Sequence, residues 1–228
     1  MPDFTWEKAL VLSSRRLGER SFITAIFTRE QGRALGVVNK KQPPNTGTFV
    51  AGRWQARLAE QLGHFYLEET HSFAARYLDD RQRLACLFCV CALLDDLLPE
   101  HQAFPDLYDT VFTFLNQLDT DDFLMRYIRF EQALLSEVGF GLDTSGCAGG
   151  GDPTDLAYIS PKTGRAVSRS VGAPYRSKLL PLPRFMWQDS PATATDIQNG
   201  LNLTGYFLQT FALKHALPRT RTQLYPHT

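Results

Sequence analysis

The sequence predicts a mixed α+β chain, with a small closed β-barrel first and a helical region after it. Three observations carry this. Five short runs of β-branched and aromatic residues crowd into the first roughly seventy positions, with no helical period among them. From His71 onward, apolar residues recur at helical spacing. Between residues 142 and 190, six glycines and five prolines break that spacing and leave an irregular stretch. The expected boundaries are a barrel over 1–72 and an all-α helical domain over 73–228, with 142–190 as a loop and hairpin insert.

Trp6 to Arg15 mixes apolar and polar residues as a first strand, and Leu17-Gly18-Glu19-Arg20 reads as a turn. Phe22 to Thr28 (FITAIFT) is a second strand, rich in side chains that suit a pleated surface. Arg29-Glu30-Gln31-Gly32 closes a short hairpin, and Arg33 to Asn39 returns as a third strand. Lys40 to Thr48 holds two prolines, a glycine and an asparagine, so it is a loop. Phe49 to Leu58 alternates cleanly as a fourth strand. Val50, Trp54, Ala56 and Leu58 fall on one face, and Ala51, Arg53, Gln55 and Arg57 on the other. Gly63 marks a turn before the fifth strand, Phe65 to Thr70. A closed barrel of the OB type accommodates five such strands and removes the exposed edges that an open sheet would leave.

Ser72 to Leu78 suits a short helix, and Leu84 to Leu98 is apolar nearly all round, which predicts a buried helix ended by Pro99. Leu107, Val111, Phe114, Leu115 and Leu118 predict a helix opening near Pro105. The acidic group Asp119-Thr120-Asp121-Asp122 suits the positive end of the next helix dipole. That helix should stop at Gly139-Phe140-Gly141, where glycine permits a left-handed cap. Within the irregular stretch, Asp155 to Ser160 and Arg165 to Ser168 flank Pro161-Lys162-Thr163-Gly164 as a small hairpin. Thr193 to Ala216 lacks proline and forms the last helix.

Net charge is zero, but it is unevenly spread. Residues 1–77 carry 11 Lys and Arg against 7 Asp and Glu, residues 78–143 carry 4 against 13, and residues 144–228 carry 9 against 4. Two basic parts therefore flank an acidic middle, a pattern that points to a polyanionic partner for the basic parts. The longest apolar run, Leu84 to Leu94, is far short of the roughly 18 residues of a membrane span. No secretory signal pattern is expected at the N-terminus, which suits a cytoplasmic protein without a membrane partner.

Enzyme signatures are missing. The chain has no phosphate-binding G-x-x-x-x-G-K-[ST] loop, no G-x-G-x-x-G, no G-x-S-x-G and no H-E-x-x-H. No nucleotide and no cofactor are expected. Cys86 and Cys89 form a C-x-x-C, but inside an apolar helical run with no second pair, where thiols serve as small hydrophobes. The positive signal is a set of basic residues: Arg15 and Arg16 by the first turn, Arg33 after the second, Lys40 and Lys41 opening the long loop, and Arg53 and Arg57 near Trp54. A second cluster holds Lys162, Arg165, Arg169 and Arg176, with Lys178 and Arg184 beside it. Small barrels use basic grooves to track a phosphate backbone. The competing readings are an adaptor whose barrel docks a protein partner, and a hydrolase for which no nucleophile, base and orienting group can be named together.

The run WEKALVLSSRRLGERSFITAIFTREQGRALGVV, continuing through GTFVAGRWQARLAEQLGHFYLE, RYLDDRQRL, CALLDDLLPE, FEQALLSEVGFGLD and DLAYISPKTGRAVSRSVGAPY, resembles the RecO family of bacterial recombination mediators. The resemblance covers nearly the whole chain and lies in the co-linear series of segments. It implies an OB-fold barrel, then a helical domain with an inserted zinc-finger-like segment. It implies ATP-independent binding of single- and double-stranded DNA, annealing of complementary strands, and contact with the acidic C-terminal tail of the single-stranded DNA-binding protein. With RecR as partner, it implies help in loading RecA onto DNA coated by that protein. One departure stands out. The family pattern often places two C-x-x-C pairs in the insert, whereas here Cys147 remains, Gly150 takes its partner position, and no second pair follows. One thiolate does not make a tetrahedral site, so no metal is expected.

Overall fold

The computed structural model describes residues 3–58 and 62–225. The chain divides into two compact units, Met1–Asn116 and Gln117–Thr228. The barrel strands do end at Ser72, but the first compact unit continues past that expected boundary through three helices.

Five strands close the barrel of the first unit: β1 (Asp3–Arg16), β2 (Ser21–Thr28), β3 (Gly32–Asn39), β4 (Thr48–Gln55) and β5 (Gly63–Ser72). Their order is β1-β2-β3-β5-β4, and β4 returns to pair with β1. Every pairing is antiparallel except β3 with β5. β1 is long because it serves two neighbours, β4 along its first half and β2 along its second. Its register shifts at Trp6/Ala9 and Val11/Ser13 supply the bends that closure requires. Trp6, Val11, Ile26, Val50, Trp54 and Phe65 fill the interior, and Ala9 and Ala34 leave room for the two indoles. Trp54 satisfies its ring N–H by donating to the Leu35 carbonyl at 3.1 Å.

The outer face of β1 and β2 is also dry: Leu10, Leu12 and Phe27 are buried. This is why the unit needs its helices, α1 (Phe73–Arg76), α2 (Arg81–Leu97) and α3 (Pro105–Asn116). Phe27 packs on Tyr108 with ring centroids 5.5 Å apart, and the Tyr108 hydroxyl donates to the Lys8 carbonyl at 2.9 Å. Ser72 and Asp80 cap α1 and α2 by accepting from the Ala75 and Arg83 backbone N–H groups. Cys86, Cys89 and Cys91 are buried in α2, where they pack as small apolar groups. The loop from Lys40 to Gly47 is irregular but tied down: the Pro44 carbonyl accepts from the Ser14 hydroxyl, and the Gly47 N–H donates to the Val11 carbonyl at 2.9 Å.

Gly32 and Gly52 are sterically required. Gly32 sits at φ +67°, and a Cβ there would lie 1.7 Å from the Gln102 carbonyl oxygen. A Cβ at Gly52 would lie 2.2 Å from the Tyr66 carbonyl oxygen, so β4 and β5 approach closely only because this residue has no side chain. Gly52→Ala is expected to cost about 1–3 kcal/mol and to push β5 away from β4, read as a lower denaturation midpoint.

The second unit is built on α4 (Phe123–Glu137) and α6 (Ala194–Phe207). α4 ends as expected. Gly139 takes φ +88°, its N–H reaches the Ser136 carbonyl, and the Phe140 N–H reaches the Leu135 carbonyl. Between the two helices lies a three-stranded sheet of order β7-β6-β8, from β6 (Leu156–Ile159), β7 (Ala166–Ser168) and β8 (Leu180–Pro181). The hairpin is the expected one. β8 is an addition, short because Pro181 has no N–H and suits only an edge. A one-turn helix, α5 (Arg169–Gly172), follows β7. The last helix is shorter than the sequence suggests. A Thr193–Asp196 capping box opens it, but over Leu208–Ala212 it widens to π geometry and stops. No helix among the described residues is long and apolar enough to cross a membrane.

Candidate nucleic-acid interface

Strand pairing sets Arg53 of β4 directly opposite Tyr66 of β5, with Gln55 opposite His64 on the same side. Their neighbours Trp54 and Phe65 point into the barrel and are buried, so period-two geometry turns Arg53 and Tyr66 outward. The Arg53 guanidinium lies over the Tyr66 ring, 4.7 Å from its centroid, and Tyr66 stays 53% exposed. Around this pair runs a groove of about 600 Å³ lined by Thr5, Lys40, Arg53, His64, Tyr66 and Glu68, among others. Two permanent cations thus face one carboxylate beside an accessible aromatic ring. Such a surface offers a base a stacking partner and offers its phosphates a counter-charge.

The other basic residues of the first unit are arranged less tightly. Lys41 is exposed in the loop, and Arg57 is exposed just beyond the end of β4 rather than within it. Arg15 and Arg16 are the last two residues of β1, before the turn, and the Arg16 guanidinium lies 5.7 Å from the Phe22 ring centroid. Arg33 does not fit the expected role. Its side chain is only 15% exposed and is held by Asp95 at 2.7 Å and Glu100 at 3.3 Å, so its charge is already neutralised.

In the second unit, Lys162 is exposed at the hairpin tip and Arg176 in the 3₁₀ turn Ala173–Lys178. Arg165 pairs with Asp143 at 3.4 Å and Arg169 with Asp155 at 3.3 Å. Both pairs are open to solvent, so a phosphate can compete for either arginine. An aromatic group accompanies this basic hairpin. Phe140, Tyr206 and Phe211 are 38%, 37% and 40% exposed, and the Phe140 and Phe211 rings stack with centroids 6.0 Å apart. Gly164 places the hairpin beside that group, since its Cβ position lies 3.6 Å from the Phe207 ring.

Sequence reasoning missed Tyr66, His64 and these three aromatics. The signal for Tyr66 was present, because buried Phe65 fixes its neighbour outward once the strand is recognised. For Phe211 the helical period of the last helix suggested burial, and the π turn after Phe207 leaves it exposed.

The residues of the insert do not fit a zinc ion. Cys147 meets Ser168 rather than other ligands: the Ser168 N–H donates to its sulfur at 3.1 Å, and the Ser168 hydroxyl lies 3.4 Å away. Among the described residues, no three His, Cys, Asp or Glu side chains gather as a metal site. Partial burial works to raise the Cys147 pKa. Hydrogen bonds from Ser168 and the Gly149 and Gly151 N–H groups outweigh it and bring the thiol down to about 7. Alkylation by iodoacetamide is therefore expected to select Cys147 over the three buried thiols, with its rate half-maximal near pH 7 and falling below it; a midpoint above pH 8 would contradict this. Zinc analysis of the purified protein is expected to give far less than stoichiometric metal.

Comparison with known proteins bears on the whole chain. The family model described as Recombination protein O N terminal matches residues 1–66, and the one described as Recombination protein O C terminal matches residues 78–219. The DNA repair protein RecO of Rhodospirillum centenum is 44% identical over 228 residues, covering 95% of this chain and 91% of the relative. Those of Bartonella tribocorum and Methylocella silvestris are 42% and 40% identical, covering 90% and 89% of this chain and 86% and 85% of the relatives. With both halves matched in order and relatives covered nearly end to end, the chain belongs to the RecO family of DNA repair and recombination proteins.

Proposed function

We propose that the protein is a non-enzymatic mediator of recombinational repair that binds single- and double-stranded DNA and anneals complementary strands. The barrel, 1–72, is of the OB type, a reading supported by its closed β1-β2-β3-β5-β4 order with parallel β3 and β5. The helical part, 73–228, whose first three helices share the barrel's compact unit, carries in 142–190 a zinc-free counterpart of a zinc-finger-like segment. The observation that carries the functional reading is the outward Arg53–Tyr66 pair in a groove that also holds Lys40. One strand stacks a base on Tyr66 and sets its phosphates against Lys40 and Arg53. Lys41, Arg57, Arg15 and Arg16 extend the path around the barrel. Lys162, Arg165, Arg169 and Arg176 contact phosphate on the second unit, and Arg33 is left out of the set.

Annealing follows from electrostatics. Cations that neutralise two strands reduce their repulsion, and base pairing completes the product without ATP. Specificity for sequence is not expected, because the contacts go to phosphates and to the π-face that every base offers. In the cytoplasm the protein works with RecR and with the acidic tail of the single-stranded DNA-binding protein, and it promotes RecA loading on DNA coated by that protein.

A strand-annealing assay over a salt series, with and without the single-stranded DNA-binding protein, tests this. Expected is acceleration at low salt in the absence of ATP, falling steeply as salt rises. No acceleration at any salt, with binding to RecR intact, would favour the adaptor reading instead.

A further inference from the structure

A second groove of the first unit shares no lining residue with the groove of the Arg53–Tyr66 pair. It measures about 990 Å³ and runs between β1 and helices α1 and α2. Its apolar lining includes Leu78, Phe88, Ala74, Ala75 and Ala92. Leu78 is 68% exposed, the highest value among the exposed large apolar residues described. Phe88 and Ala92 stand four residues apart on α2 and so share a face, and that face runs on to Asp95 and Asp96 at the end of the groove. The small side chains of Ala74, Ala75 and Ala92 allow a visiting backbone to come close.

Charge decides what such a groove accepts. Among its lining residues Arg33 stands against Asp95 and Asp96, which is 1 − 2 = −1. Within the groove, Asp95 accepts from Arg33 and from the Ser13 hydroxyl, so that pair is internally neutral. Asp96 is exposed and takes part in no described ion pair. A phosphate backbone or an acidic peptide would meet uncompensated negative charge here. A segment with apolar anchors and a lysine or arginine at one end would not.

We propose that this groove docks a protein segment of apolar and basic character, its apolar side chains on Leu78, Phe88 and Ala92 and its cation on Asp96. The site stands apart from the DNA reading and does not depend on it. Helix-in-groove and extended-peptide modes both suit an open channel of this size, with affinity from the apolar anchors and orientation from the charge.

A display library of random peptides of about twelve residues, long enough to lie along such a groove, is panned against the full chain and in parallel against Ala92→Arg and Asp96→Lys. Both positions are exposed, and unchanged circular dichroism and single-strand affinity serve as checks on folding. Expected are clones with two or more large apolar residues and net positive charge that are lost on both variants. A synthetic peptide taken from them should bind each variant at least about tenfold more weakly. Net-acidic clones, apolar clones indifferent to Asp96→Lys, clones that bind both variants equally, or an empty selection would each overturn the proposal. Loss of single-strand binding in the Lys40→Ala/Arg53→Ala variant leaves it untouched, so the two readings fail separately.

Discussion

Arg221→Met is expected to destabilise the unit from Gln117 onward by about 3–5 kcal/mol, lowering its melting temperature by roughly 10–20 °C. Arg221 and Glu131 are the buried ion pair of that unit, with side chains 3% and 0% exposed. The pair is bidentate, Nε to Oε1 at 2.8 Å and Nη2 to Oε2 at 2.9 Å. Arg221 also donates to the Leu201 carbonyl at 2.6 Å, while Glu131 accepts from the Tyr127 hydroxyl at 2.7 Å and from the Thr204 hydroxyl. Burial works against the charge on Arg221, but Glu131 prevails and holds the guanidinium above the ordinary arginine range. A raised pKa contributes its stability in full below the unfolded value, so this contribution should be flat across neutral pH and be lost only in strong base.

Removing the guanidinium leaves a buried carboxylate with two hydroxyl donors, which is why the expected cost is large. The double variant Glu131→Leu/Arg221→Met should recover most of the loss, because well-packed apolar replacements of a buried pair are often neutral. Equal loss in the single and double variants, measured by thermal unfolding, would show that the pair matters only as packing.

The second large effect concerns Tyr66. Tyr66→Ala is expected to weaken single-strand binding by about 1–3 kcal/mol, roughly 5- to 150-fold, while leaving the salt dependence unchanged. Tyr66→Phe should retain most of the affinity, since in the proposed mode the π-face and not the hydroxyl meets the base. Lys40→Ala/Arg53→Ala should act in the complementary way, losing affinity mainly by flattening the salt dependence. The side chains of Tyr66 and Arg53 lie on the outside of the barrel, so these variants are expected to keep its interior intact.

The barrel was legible because its strands alternate. Trp54 and Phe65 declare an interior, and one interior residue fixes the direction of both its neighbours. The helix ends were legible at Gly139, where glycine permits a left-handed cap, and near Thr193, where the proline-free run begins; the Thr193–Asp196 box is a finding of the structure. Less accessible to sequence was anything set by contact between distant segments. Arg33 looks like a free cation until α2 brings Asp95 beside it, 62 residues away. The first compact unit reaches Asn116 because Leu10, Leu12 and Phe27 face outward from the barrel yet are apolar, and α2 and α3 pack against this face. Pairing Tyr66 with Arg53 required the register of β4 against β5, which no local pattern contains. Phe211 required a π turn that helical periodicity does not anticipate.

The most direct measurement is the affinity for an oligonucleotide single strand across a salt series, for the natural chain and for Lys40→Ala/Arg53→Ala. Each phosphate contact on a single strand contributes about 0.7 to the slope of log affinity against log salt. Expected is a steep slope for the natural chain and one shallower by about 1.4 for the double variant, the value for two lost phosphate contacts. An unchanged slope and affinity in the variant would contradict the assignment of this groove to DNA.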